Sequence, residues 1–238
     1  MEYNVKLSRP YIRIRRPDGI SFGGSQEWFE EKTIRDFGCG LIGAADVLLY
    51  VSRPAQAGEE SRNAASGEEG TPEIPYEEYG RHVAALKRHF PIIPGFGMPG
   101  WFLSVGFNII FRRQKSPYRA RWGIPHRRLF SSIAEMLRQD IPVILSAGPH
   151  FPRFWGKEGL TLYREAADKT MLPAAKTRAH YVIVTGMAGE WMRISSWGRM
   201  YYIRISEYEE YVRRYSCPLF SNICYIRSRA AGQGGQIS

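Results

Sequence analysis

The segment RDFGCGLIGAADVLLYV (residues 35 to 51) sets one cysteine between two glycines, directly ahead of an apolar stripe with helical spacing. A thiol at the start of a helix lies near unpaired backbone N–H groups and the positive end of the helix dipole, and both favour the thiolate. Gly38 and Gly40 would let the backbone turn sharply and leave room beside the sulfur, and the N–H of Cys39 could then donate to an oxyanion. A second group, His180, opens the run HYVIVTG, where Val182 and Val184 alternate on one face of an expected strand. A cysteine nucleophile and a histidine base are the minimum set for acyl transfer through a covalent intermediate. Each residue alone more often has a packing role; the pairing gives them interest.

Other chemistries find less support. GFGMPG (95 to 100) matches a dinucleotide fingerprint by letter. The preceding FPIIP carries two prolines, however, and no acid follows at the required distance, so the segment reads as a tight turn. The histidines at 82, 89, 126, 150 and 180 lack metal-site spacing, and no phosphate-cradling loop or serine elbow is present. The cysteines at 39, 217 and 224 form neither a disulfide framework nor a CxxC pair. No metal or cofactor is expected.

The elements that must position the pair follow from periodicity. Helices are predicted over 40–52, with Leu41, Ala44, Ala45, Leu48 and Leu49 inward, and over 76–90, 100–111 and 125–140. Residues 5–16 suggest a strand or extended arm, and 17–25 a turn. IPVILSAG (141–148) is an apolar strand, and residues 180–205 read as three strands turning at 186–190 and 197–199. A helix capped by Ser206 and a last strand over 222–228 complete the pattern. Helices precede sheet, which argues an α+β fold with a helical half packed on an antiparallel half. Residues 1–230 are expected to form one domain, with a flexible polar insertion at 53–75 and a disordered tail at 231–238.

DFGCGLIGAADVLLY resembles the cysteine-bearing helix start of papain-like cysteine peptidases. It is most similar to the bacterial branch that includes the peptidase domains of bacteriocin exporters. DIPVILSAG, HYVIVTG and RISSWGRMYYI resemble that branch's later strands in the same order. The resemblance covers two blocks, 33–52 and 140–205. It implies a papain-like fold, with Cys39 as nucleophile and His180 as general base. The orienting Asn or Asp of the family falls at Ser195, or at Ser196 if the register shifts by one. A serine can accept from the imidazole but brings no charge; Asp36 and Glu190 are possible substitutes. Trp197 fills the place of the family's Trp after that residue. The usual oxyanion glutamine falls at Thr33, and Gln26, thirteen residues before Cys39, serves only if the intervening chain coils.

The expected activity is a cysteine-dependent hydrolase or acyltransferase acting on a peptide or other amide, with acidic ones favoured. The alternatives are an inactive binding protein on the same fold and a basic nucleic-acid or phosphate binder. Lys and Arg number 33 against 23 Asp and Glu, a formal +10. No nucleic-acid-binding motif accompanies that charge, so it reads as a solvated basic face and nucleic acid is not the expected partner. With no run of eighteen apolar residues and no signal-peptide core, no membrane partner is expected and the expected compartment is the cytoplasm. Nothing in the pattern signals an oligomeric state.

Overall fold

The computed structural model describes residues 3–53, 73–149 and 158–228. They form a mixed α+β fold with six helices and a large antiparallel sheet, and among these described residues no helix is long and apolar enough to cross a membrane. Two strands open the chain, β1 (Tyr3–Lys6) and β2 (Arg13–Arg16), followed by β3 (Gly19–Phe22), α1 (Lys32–Phe37) and α2 (Cys39–Ser52). Then come β4 (Glu73–Pro75), α3 (Tyr76–Leu86), α4 (Gly100–Arg113), β5 (Tyr118–Trp122) and α5 (Leu129–Arg138). The rest is β6 (Val143–Ala147), β7 (Leu160–Glu165), β8 (Met171–Thr177), β9 (His180–Gly189), β10 (Trp191–Ser196), β11 (Arg199–Arg204), α6 (Ile205–Tyr215) and β12 (Ile223–Ser228).

Eight strands run in the order β5-β12-β6-β9-β10-β11-β7-β8, and β1 adds a ninth by pairing with β9. β9 organises the sheet. His180–Val184 pair with β6, Gly186–Gly189 pair with β1, and β10 takes the other edge. Val182, Ile183 and Val184 are apolar, β-branched and buried, as a strand flanked on both edges requires. β9 continues through Gly189 rather than turning at Gly186, because β1 is there to accept the ladder.

α2 lies on β9 through its small residues. A methyl at Gly43 would come within 3.1 Å of Ile183 Cδ1, and one at Gly40 within 3.3 Å of the Tyr181 ring. Leu41, Ala44, Ala45, Val47 and Leu48 are buried, as the helical stripe requires, and Leu49 is partly exposed.

Several details differ from the sequence reading. Residues 5–16 are two strands in different sheets, because β2 turns away to pair with β3 and, in parallel, with β4. The supposed insertion therefore ends in an ordered strand, anchored where Glu73 meets Arg15 at 2.7 Å; residues 54–72 and the tail from 229 lie outside the described residues. α6 begins at Ile205 with Arg204 as its cap, so Ser206 sits inside the first turn. The segment after Pro125 is a short 3-10 turn, and the α-helix starts at Leu129.

Candidate active site

α1 runs into α2 through Gly38, whose backbone (φ −86°, ψ 4°) joins the two helices. A methyl there would lie 2.3 Å from the Ile34 carbonyl oxygen, so the junction needs glycine. Cys39 is the first residue of α2 and is half-buried. Burial pushes its thiol up from the ordinary value, against the N–H groups of Tyr181, Gly40 and Cys39 itself, which pull it down. The helix start therefore supplies donors for a thiolate, yet desolvation leaves the resting sulfur protonated. This reverses the expectation that position alone makes a thiolate.

His180 is the first residue of β9 and only 8 % exposed. Burial, with no anion beside it, pushes its imidazole down to about 4. Nε2 lies 2.9 Å from Ser196 Oγ. If the hydroxyl accepts from Nε2–H, Nδ1 carries the lone pair and is the nitrogen left for chemistry. Trp197 covers the ring, with centroids 4.7 Å apart and planes at 17°. It holds that position from a two-residue hairpin turn in which Trp197 (φ 50°) and Gly198 (φ 70°) are both left-handed.

Ser196, not Ser195, thus contacts the imidazole. Ser195 Oγ donates instead to the Phe22 carbonyl at 2.7 Å. The one-residue shift has a local cause: the β9–β10 register slips between Arg193 and Ile194. Neither suggested carboxylate takes this place. Asp36 lies 3.7 Å from Arg35, and Glu190, in the β9–β10 turn, lies 2.7 Å from Arg204 at the end of β11.

A cavity of about 20 Å³, room for about one oxygen-sized group, is lined by Cys39, His180, Ser196, Trp197, Gln26 and Asp46 among others. Gln26 reaches it because α1 takes up the intervening chain. Its Nε2 donates to the Arg35 carbonyl at 2.8 Å, and its buried Oε1 has no protein partner. On the other side of Cys39 an apolar groove of about 210 Å³ is bounded by Phe96, Met98, Trp122, Tyr181 and Phe220. The GFGMPG turn forms part of that wall, with Gly95 and Gly97 at positive φ.

Sequence reasoning passed over Asp46. It is 1 % exposed, one residue in the buried stripe of α2. Its carboxylate accepts from Tyr79 Oη at 2.7 Å, Tyr11 Oη at 2.9 Å and the Gly24 N–H at 3.0 Å. Burial outweighs these bonds and pushes it up to about 6. By holding Gly24 it fixes the approach to Gln26. The signal was available: an Asp inside an otherwise apolar helix face must be paired when buried.

Among the described residues no three His, Cys, Asp or Glu side chains gather as metal ligands. Comparison with protein-family models, with curated proteins and with solved structures returns no match for this chain.

Proposed function

We propose that the chain is a cysteine-dependent hydrolase or acyltransferase with a papain-like arrangement, acting on a peptide or other amide. One observation carries this reading. Cys39, at a helix start, and His180, whose far nitrogen is held by Ser196, line one cavity with the Gln26 amide.

Both partners rest neutral, so proton transfer accompanies attack instead of preceding it. His180 Nδ1 takes the Cys39 proton as sulfur adds to the carbonyl carbon, and the oxyanion meets the Cys39 N–H and the second Nε2–H of Gln26, the first being held by the Arg35 carbonyl. The imidazolium then protonates the leaving amine, and the carbon–nitrogen bond breaks to leave an acyl group on Cys39. Water, deprotonated by His180, or an acceptor amine releases that group. Trp197 keeps water from the imidazole face, and the apolar groove beside Cys39 offers space for the acyl portion.

The reading is tested by incubating the protein with activated acyl esters and fluorogenic peptide amides and measuring intact mass. An acyl adduct on Cys39, or its turnover with release of the fluorophore, is expected, absent in Cys39→Ala and formed roughly 10²–10⁴ times more slowly in His180→Ala. Alkylation of the free thiol by iodoacetamide is expected to rise only above the pH of an ordinary cysteine. A panel that yields neither an adduct on Cys39 nor release of the fluorophore removes the enzyme reading. The second reading, a binding protein on the same architecture, would then stand; the neutral Cys39–His180 pair and the serine at the orienting position favour it.

A further inference from the structure

We propose that the outer face of α4 and the cationic turn after it dock on an anionic lipid surface. Between Glu78 and Glu135 lie 56 residues, 79–134, without one Asp or Glu but with ten Lys and Arg. The rest of the chain then holds 23 Lys and Arg against 23 Asp and Glu. The whole formal excess of +10 therefore belongs to this one stretch, which contains α4.

The same stretch carries apolar surface. Trp101, Val105 and Ile109 are 44 %, 55 % and 37 % exposed, and their four-residue spacing aligns them along one face of α4. Arg112 continues that face by the same helical geometry, and the exposed Arg113 and Lys115 follow at its end. Phe96 and Leu219, also exposed, lie towards the other end, where Trp101 approaches Phe220 with ring centroids 6.4 Å apart. The cations crowd one another. Arg113 Nη1 lies 2.7 Å from His89 Nε2, and burial, Arg113 and Arg88 together hold that imidazole below its ordinary value. Lys87 is relieved by Glu31 from outside the stretch, and no carboxylate within 79–134 is present for the others.

An apolar helix face with Trp among aliphatics, ending in Arg and Lys, matches the boundary between lipid headgroups and acyl chains. Anionic headgroups supply the missing counter-charge. A nucleic-acid strand would use the cations and the rings yet leave Val105 and Ile109 in water. The contact is peripheral, since α4 spans only about 21 Å and carries polar groups on the same face.

The test uses the full chain and phosphatidylcholine vesicles with or without phosphatidylglycerol, read by co-sedimentation and by Trp emission against brominated lipid. Binding is expected only with phosphatidylglycerol, weakening with salt and by about fivefold for each charge removed in Arg112→Gln and Lys115→Gln. Val105→Asp with Ile109→Asp is expected to abolish it while leaving circular dichroism and Tm unchanged, because both side chains are exposed. No binding to anionic vesicles overturns the proposal, as does binding indifferent to the aspartates. Tight oligonucleotide binding that needs Arg112 and Lys115 but not Val105 assigns the face to nucleic acid. A dimer in solution that the aspartates dissociate assigns it to a second copy.

Discussion

Ser196 is the residue on which the proposed chemistry turns. Its hydroxyl accepts one neutral hydrogen bond from His180, where a carboxylate would also stabilise the imidazolium. Ser196→Ala is expected to lower kcat about tenfold with KM unchanged, the scale of one hydrogen bond of ~1–1.5 kcal/mol. Ser196→Asp sets an anion against Nε2, which favours the charged imidazole. The acid limb of kcat/KM should therefore move up from about 4, and a limb that stays in place would show that Ser196 does not govern His180. Cys39 and His180 were legible in the sequence because residue type and flanking pattern both singled them out. The choice between Ser195 and Ser196 was not, because the β9–β10 register shifts where Thr185 of β9 is skipped, and that shift leaves no mark in the letters. Gln26 was legible as a type but not as a neighbour of Cys39, since α1 has no side-chain cap to announce it.

The elements carry the second lesson. Long periodic helices and the buried strands β6 and β9 were readable, because their inward positions are apolar at the right spacing. The misses are edge or exposed elements. β5 reads YRARW and ends the sheet, so its arginines look like a charge cluster; charged side chains are what an edge strand uses to avoid further pairing. β8 at the opposite edge is mostly exposed and contains Pro173, which hides its hairpin with β7. Two glycines test how tightly the elements meet. At Gly24 a methyl would lie 1.9 Å from Tyr79 Oη, in a side chain that is fully buried and bonded to Asp46. Gly24→Ala should cost about 1–3 kcal/mol in urea denaturation. Gly80, within α3, has nothing within 4 Å of the added carbon, so Gly80→Ala should stabilise by roughly 0.5–1 kcal/mol. Equal effects at the two sites would contradict this packing.

At the scale of the molecule, two buried groups pull its pH response in opposite directions. His180 titrates near 4 when folded and near 6.5 when unfolded, so the unfolded chain binds the extra proton and stability falls as pH drops through that window. Asp46 titrates near 6 folded and 3.8 unfolded, so the folded chain binds the extra proton and stability rises over nearly the same range. The two contributions, each on the order of 3 kcal/mol, largely cancel between pH 4 and 6. Relative to wild type, Asp46→Asn should lose stability on acidification and His180→Gln should gain it, measured as denaturation midpoints at several pH values. Parallel curves for all three proteins would show that these groups do not set the response. The sheet order has a consequence for synthesis. β1, made first, has its partner in β9, and the thiol of α2 meets its base only when β9 docks on that helix. Such long-range pairings form late and slowly. A chain emerging from the ribosome therefore carries Cys39 without its base until β9 has been translated and has docked on α2, so the site matures well after its thiol is made.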